Sequence, residues 1–561
     1  MINPDTSFIK KIESRLKFIY KDKYEKSILS DLIRVISTYR INSSKGQKWN
    51  EKDVVLITYG DSVKTDDEAP LQTLRTFLNE KLNEQLTVVH ILPFFPYSSD
   101  DGFSVIDFRE VNPELGDWRD FEDLTKDYDL MADLVINHAS SKSQWFKNFL
   151  KQHGTGKDYF ITEDPETDLS QVTRPRSTPL LTPYETANGT RHVWTTFSAD
   201  QVDLNFSNPD LLVEMMDILL GYIDKGARII RLDAIAFLWK VVGTTCLHLP
   251  ETHEVVKLMR DVAEFINPNT IILTETNVPN KENLSYFGDG DEAHMVYQFS
   301  LPPLLLHALH TGNSSYLTTW AKSLPQLDGE KTFFNFTASH DGIGVRPLEG
   351  LLPDDEKNAL VENMKGFGGR INYKSNPDGS QSPYELNITY FDALKGTHKG
   401  EDRLQTERFL ASQICMMSLA GVPAFYIHSL TATPNYYEGV EKTQHNRTIN
   451  RRKWQLDELQ NVLSGDTPQK KVFEALQKLI LMRKKQEAFH PNAIQEILDF
   501  GTDLFVLQRE TKDQKILVII NLCDEEKEIE IPVEFTYDLI SDSIFDSDKL
   551  KAYQCLWMVK S

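Results

Sequence analysis

Eight short segments of the chain are almost continuously apolar, where a half-exposed strand would alternate: VVLITYGD (54–61), LTVVHILP (86–93), LMADLVINH (130–138), GARIIRLDA (226–234), TIILTET (270–276), MVYQFS (295–300), TFFNFTASHD (332–341) and FYIHS (425–429). Runs of this kind suit strands buried on both faces, as in a parallel sheet covered by helices. The stretches between them carry helical spacing. LLVEMMDILLGYI, for example, puts Met and Leu at core positions and reads as packing, not as a cofactor site. Eight strands alternating with helices predict an α/β fold, a (β/α)8 TIM barrel.

Two intervals are too long for a single crossover helix. Between the third and fourth strands lies a segment rich in Thr, Pro and Asp that includes TEDPETDLSQVTRPRSTPLLTPYETANGT, and an inserted small domain B is expected at 141–206. After Asp341 the chain includes RINYKSNPDGSQSPYELN, whose N-P-D-G marks a turn, and a loop excursion over the barrel mouth is expected at 343–395. The barrel then takes 1–140 (strands one to three), 207–342 (four to seven) and 396–490 (the eighth). Beyond it, IQEILDF, LFVLQRE, KILVIINL and EIEIPVEFTY are separated by polar turns, which predicts a small antiparallel β domain at 491–561.

Forty per cent apolar and 26 per cent charged residues in 561 describe a globular chain with a sizeable core. A net charge of -22 and a pI near 5.1 argue against nucleic acid or anionic membrane as partners, since both need a basic face. An anionic substrate would need a local cluster of arginines. Cys246, Cys415, Cys523 and Cys555 are scattered without CxxC or zinc-like spacing, so buried reduced thiols are expected. The N-terminal MINPDTSFIKKIESRLKFIY lacks the apolar core of a signal peptide, and no window approaches roughly 18 uninterrupted apolar residues. A cytoplasmic enzyme acting on small molecules, monomeric or homodimeric, is expected.

The chemistry sits at the ends of the apolar runs. In GARIIRLDAIAFLWK, Arg231 and Asp233 interrupt a buried strand. Buried charges must be paired, face a cleft or act on a substrate, and an R-x-D alone leaves a structural ion pair as open as a functional one. The same register carries Asp133, Asn137 and His138 after the third run, Glu275 after the fifth, and His340 with Asp341 after the seventh. The C-terminal ends of the strands are where a barrel of this type builds its active site. Three carboxylates in one cleft suit glycosyl transfer: one attacks the anomeric carbon, one protonates the leaving oxygen, and a third holds sugar hydroxyls. Glu275, in the apolar setting IILTET, is the candidate acid, its pKa raised by desolvation, and Asp233, beside Arg231, the candidate nucleophile.

DLVINH (133–138), RIIRLDAIAF (228–237), ILTET (272–276) and ASHDG (338–342) resemble, in order and placement, the motifs of the α-amylase superfamily. The resemblance implies Asp233 as nucleophile, Glu275 as general acid/base and Asp341 as transition-state stabiliser, with His138, Arg231 and His340 lining the glucosyl subsite. Asn137 corresponds to a position that often serves a calcium site in amylases, but by itself argues little for metal, and neither a metal nor an organic cofactor is expected.

A finer resemblance, through HILPFFPYSSDDGFSVID (90–107), GTTCLHLP (243–250), LPPLLLHAL (301–309), ASHDGIGV (338–345) and NRTINRRKW (446–454), is to the sucrose phosphorylase branch. It implies that Asp100 and Arg451 clamp glucose hydroxyls, that Phe197 lies against the sugar ring, that Arg176 in the R-P-R of TRPRSTPLLTPY binds phosphate, and that Tyr384 serves the phosphate and acceptor sites. Where the sucrose enzymes carry their acceptor loops, this chain reads RPLEGLLPDDEK and PYELN. The set as a whole is most similar to glucosylglycerate and glucosylglycerol phosphorylases; glycerate would want a cation such as Arg346, and glycerol would suit Glu385. The expected activity is transfer of a glucosyl unit from an α-glucoside to phosphate, giving α-glucose 1-phosphate. Sucrose or sucrose 6'-phosphate phosphorylase, an α-glucosidase or transglucosidase, and a catalytically dead interaction protein are the alternatives.

Overall fold

The apolar runs form strands β1 (Val55–Thr58), β2 (Val88–Ile91), β3 (Asp129–Val135), β4 (Ala227–Asp233), β5 (Ile271–Thr274), β6 (Met295–Tyr297), β7 (Thr332–Phe336) and β8 (Val422–Tyr426). In the computed structural model, which describes residues 4–42, 44–376 and 380–560, these strands close into a barrel. Each pairs in parallel with its sequence neighbours, and β1 closes against β8. Strand β8 begins three residues earlier than the run FYIHS, with Pro423 inside it, and Ile427–Leu430 turns helical. A helix follows every strand. Pro209–Asp224, between β3 and β4, starts with Pro209 in its first turn and the Asn208 side chain accepting from the Asp210 N–H, a start that satisfies an otherwise orphaned backbone donor. Before β1, helices Thr6–Tyr20 and Lys26–Ile36 lie on the outside, against Pro250–Ile266 and Pro209–Asp224.

The segment after β3 contains helix Gln144–Lys151 and a hairpin of Leu181–Thr186 with Gly189–Trp194; Gln201–Asp203 then returns to pair with His138–Ser140. After β7, helix Asp354–Gly366 accompanies a three-stranded antiparallel sheet of Ile343–Gly344, Gln381–Asn387 and Arg370–Ser375. Pro377, Asp378 and Gly379 of the N-P-D-G turn lie outside the described residues.

The C-terminal sheet contains β9 (Ile494–Leu498), β10 (Leu504–Glu510) and β11 (Lys515–Asn521) where the alternation predicts them. Its next long strand is β12 (Cys555–Val559), not EIEIPVEFTY. That segment contributes only Lys527–Glu528 and Tyr537–Asp538 to short ladders; Pro532 between them supplies no N–H, and Ile529 and Phe535 pack into the small core beneath the sheet instead. All four cysteines are free and buried. Among the described residues no helix is long and apolar enough to cross a membrane.

Candidate active site

The barrel aligns β4 and β5 so that Leu232 faces Thr274, and the Glu275 N–H donates to the Leu232 carbonyl at 3.1 Å. Asp233 and Glu275 are therefore lateral neighbours on strands about 4.8 Å apart. The Ala234 N–H, in a left-handed conformation (φ 52°) directly after Asp233, donates to Glu275 Oε2 at 3.0 Å. Arg231 does not line the cleft. It lies beneath it, donating from Nη1 to Asp233 Oδ1 at 2.8 Å and also to Asp133. Asp133 is fully buried and bonded to His90 Nε2 at 2.6 Å, so it anchors the arginine and does not face the cleft. The pair read from sequence is thus part of a buried chain, His90–Asp133–Arg231–Asp233.

Burial pushes the carboxyls of Asp233 and Glu275 upward, Arg231 opposes this for both, and each is raised further by neighbouring carboxylates. Asp233 is in direct ionic contact with Arg231 and Glu275 is not, so of the two Asp233 is the better kept ionised and Glu275 the better placed to carry a proton. Asp133, buried yet held by Arg231 and His90, falls to about 2.

Asp341 stands on the same cleft after β7; burial would raise it, but Arg447, Arg451 and Arg231 hold it below the usual carboxylate range. Beside it, the His340 ring stacks on Phe103 at 4.6 Å, while His138 Nε2 donates to the Phe103 carbonyl at 2.8 Å. Burial and nearby guanidinium groups keep His340 neutral. Asp100 faces the cleft, and Arg451 stands beside it, its Nη1 2.8 Å from Asp101 and 3.5 Å from Asp100, its Nε donating to the His340 carbonyl. Arg451 backs the Asp100–Asp101 turn and, with Asp100, Arg176 and Phe197, lines the adjoining pocket, where its buried Nη2 has no hydrogen-bond partner among the described residues.

Across the cleft, the Arg176 guanidinium lies 5.9 Å from the Phe197 ring centre and 5.2 Å from that of Tyr384. Burial raises the Tyr384 phenol, which stays protonated and able to donate. Arg346 is on the wall too, its Nη2 3.8 Å from Glu282. Glu385 is not. It is almost fully buried, and its carboxylate accepts from Arg447 Nη2 at 2.8 Å and Nε at 3.1 Å and from Asn372 Nδ2 at 3.0 Å, so it is turned to these partners and not to the cleft. Among the wall residues that escaped the sequence reading are Arg447 and Asn277. Arg447 makes an ion pair with Asp341 at 2.8 Å, and its position in NRTINRRKW, four residues before Arg451, is the signal that could have found it. Asn277 follows Glu275 by two residues, and its buried Oδ1 lacks a hydrogen-bond partner.

Two groups of residues bear on metal binding. Asn137 Oδ1 and Asp203 Oδ2 both face the Lys240 ammonium, at 2.8 and 2.7 Å, so a cation of the chain itself occupies the place between them, and the pair does not fit a calcium ion. Away from the cleft, Glu264, His294 and Glu330 bring ligand-type atoms within 4.8 Å of one another. There His294 Nδ1 accepts from the Ile272 N–H, so its Nε2 carries the proton donated to Glu264 at 2.8 Å, while Arg260 reaches both glutamates. These side chains satisfy each other as an ion network.

A closed eight-stranded barrel with carboxylates clustered at the ends of β4, β5 and β7 defines the alpha-amylase class, and residues 82–341 match the family described as alpha amylase, catalytic domain. The glucosylglycerate phosphorylase of Spirochaeta thermophila is 51% identical over 483 residues, covering 86% of this chain and 82% of that protein. The glucosylglycerate phosphorylase of Escherichia coli is 44% identical over 98% of this chain and 99% of its own. A crystal structure of sucrose 6F-phosphate phosphorylase from Thermoanaerobacter thermosaccharolyticum superposes with a TM-score of 0.74 at 27% identity, over 86% of this chain and 94% of that one. The chain belongs to the glucosylglycerate phosphorylase family.

Proposed function

We infer that the protein is a retaining glucosylglycerate phosphorylase. The observation that carries the reading is Arg176: among the described residues it forms no ion pair, and its guanidinium is held over two aromatic faces in the same cleft as three carboxylates. A hydrolase has no use for a free cation there, whereas phosphate in so acidic a protein needs one.

In the first step a carboxylate oxygen of Asp233 attacks the anomeric carbon as the bond to the glycerate oxygen breaks, and the Glu275 proton passes to that oxygen. The lateral placement of the two carboxyls suits the roughly 5 Å separation of a retaining pair rather than the wider gap that admits water between them. Asp341, Asp100, His138 and His340 hold the glucosyl hydroxyls, and Phe197 lies against the ring. The carboxylate of glycerate pairs with Arg346, and Asn277 Oδ1 accepts from a glycerate hydroxyl. In the second step phosphate, bound by Arg176 and the Tyr384 hydroxyl, attacks the same carbon and returns a proton to Glu275. The ester to Asp233 breaks, and α-glucose 1-phosphate leaves with its configuration retained.

The test is incubation with glucosylglycerate with and without phosphate. Phosphate-dependent α-glucose 1-phosphate is expected; glucose released at the same rate in both would overturn the reading in favour of a hydrolase.

A further inference from the structure

The turn that carries Asp100 is strained. Asp100 and Asp101 both adopt left-handed backbone conformations, with φ of 52° and 48°, and neither is a glycine. Consecutive residues of this kind persist only where their surroundings over-determine them. Gly102 follows at φ 111°, packed so closely on Pro93 that a Cβ would meet its carbonyl oxygen at 2.6 Å. The turn cannot relax in that direction.

Arg451 holds it on one side, and on the side of the segment after β3 it is gripped by a carboxylate. Asp200, on the return of the segment after β3, accepts on Oδ2 from Ser98 at 2.5 Å, Ser99 at 2.6 Å and Ser104 at 2.9 Å, and on Oδ1 from Ser141 at 2.6 Å. Ser98 and Ser99 precede the strained pair and Ser104 follows it, so one side chain grips both ends of the turn. Proton counting closes: Ser98, Ser99, Ser104 and Ser141 each donate once to Asp200, and Ser140 donates to Ser98 Oγ at 2.6 Å. Burial would raise the Asp200 carboxyl, but these hydroxyls hold it below its ordinary value. The next residue, Gln201, donates to the Phe103 carbonyl at 3.2 Å, which fastens the same turn a second time.

We propose that Asp200 is a positioning residue that holds the Asp100–Asp101 turn in its strained form and so presents the Asp100 carboxylate to the glucosyl unit. It rests on the reading of Asp100 as a glucosyl-binding group. The test is a double-mutant cycle in the full chain, read by calorimetric binding of 1-deoxynojirimycin, an iminosugar of glucosyl shape whose binding needs neither phosphate nor turnover. Asp200→Ala is expected to weaken binding about 10-fold in the otherwise native chain and less than about 3-fold when Asp100→Ala is already present, because coupled residues are non-additive. Ser99→Ala, which removes one of the four donors, is the variant to use should Asp200→Ala fail to fold, and the same coupling to Asp100 with a smaller loss is expected. Equal losses in both backgrounds, or unchanged binding after Asp200→Ala, would overturn the proposal. Absence of α-glucose 1-phosphate formation by the native chain would overturn only the phosphorylase reading.

Discussion

Arg447 grips Glu385 through two hydrogen bonds, Nη2 to Oε1 at 2.8 Å and Nε to Oε2 at 3.1 Å, and thereby ties the sheet that follows β7 to the loop that follows β8. The same guanidinium reaches Asp341 at 2.8 Å. Replacing Glu385 by Ala removes the carboxylate that takes two of the Arg447 hydrogen bonds and leaves it Asp341 at 2.8 Å and Asp100 at 3.7 Å; losing one partner of a buried pair typically costs about 3 kcal/mol. A lower unfolding midpoint together with a reduced kcat is expected, measured by thermal unfolding and by steady-state phosphorolysis. Unaltered acceptor preference in the residual activity is expected too, since Glu385 is enclosed and off the cleft wall.

Asp233→Asn removes the proposed nucleophile and keeps its shape. Turnover is expected to fall by a factor on the order of 10⁴ or more, with circular dichroism and the unfolding midpoint close to those of the native chain. Loss of folding, or retained turnover, would return Arg231 and Asp233 to a purely structural ion pair.

The pH profile follows from the carboxyl pair. Glu275, raised by burial, donates only while protonated, so the rate is expected to decline as pH rises through its elevated pKa. At low pH the Asp233–Glu275 pair takes up a second proton and the nucleophile is lost, giving the acid limb of a bell. Glu275→Gln should abolish the alkaline limb and spare reaction of α-glucosyl fluoride, whose leaving group needs no proton; pH–rate profiles on both donors check this.

Arg176→Ala should act on phosphate and spare the glucosyl donor. A charge-assisted hydrogen bond contributes about 1.5–3 kcal/mol, so the KM for phosphate is expected to rise about 10- to 100-fold, with glucose from hydrolysis appearing alongside α-glucose 1-phosphate. The product ratio by chromatography measures the shift.

Arg346→Ala and Asn277→Ala test the acceptor end. In the reverse direction with α-glucose 1-phosphate, Arg346→Ala is expected to raise the KM for glycerate about 10-fold or more and leave that for glycerol little changed, because only glycerate carries a charge to pair. Asn277→Ala should weaken both. Phosphate release is the readout.

Local sequence was enough for whatever depends on burial and position along a strand. The eight apolar runs predict the barrel because a strand covered on both faces has no polar side to alternate, and Asp233, Glu275 and Asp341 are legible because each ends such a run. The pattern fails at EIEIPVEFTY, where alternation is present but Pro532 breaks the ladder, and at Cys555–Val559, a run too short to stand out. Pairing of charges belongs to the tertiary structure alone. Arg231 takes Asp133 from 98 residues away, Arg447 takes Glu385 from 62, and Arg451 takes Asp101 from 350. A guanidinium finds its carboxylate across strands that the chain brings together only on folding, so no local pattern tells which arginine faces the substrate and which stands behind it. The sequence alone determined the barrel and its three carboxylates; folding decided that Arg231 lies beneath the cleft, that Arg451 backs the turn that carries Asp100, that Glu385 is enclosed, and that Asp200 grips that same turn.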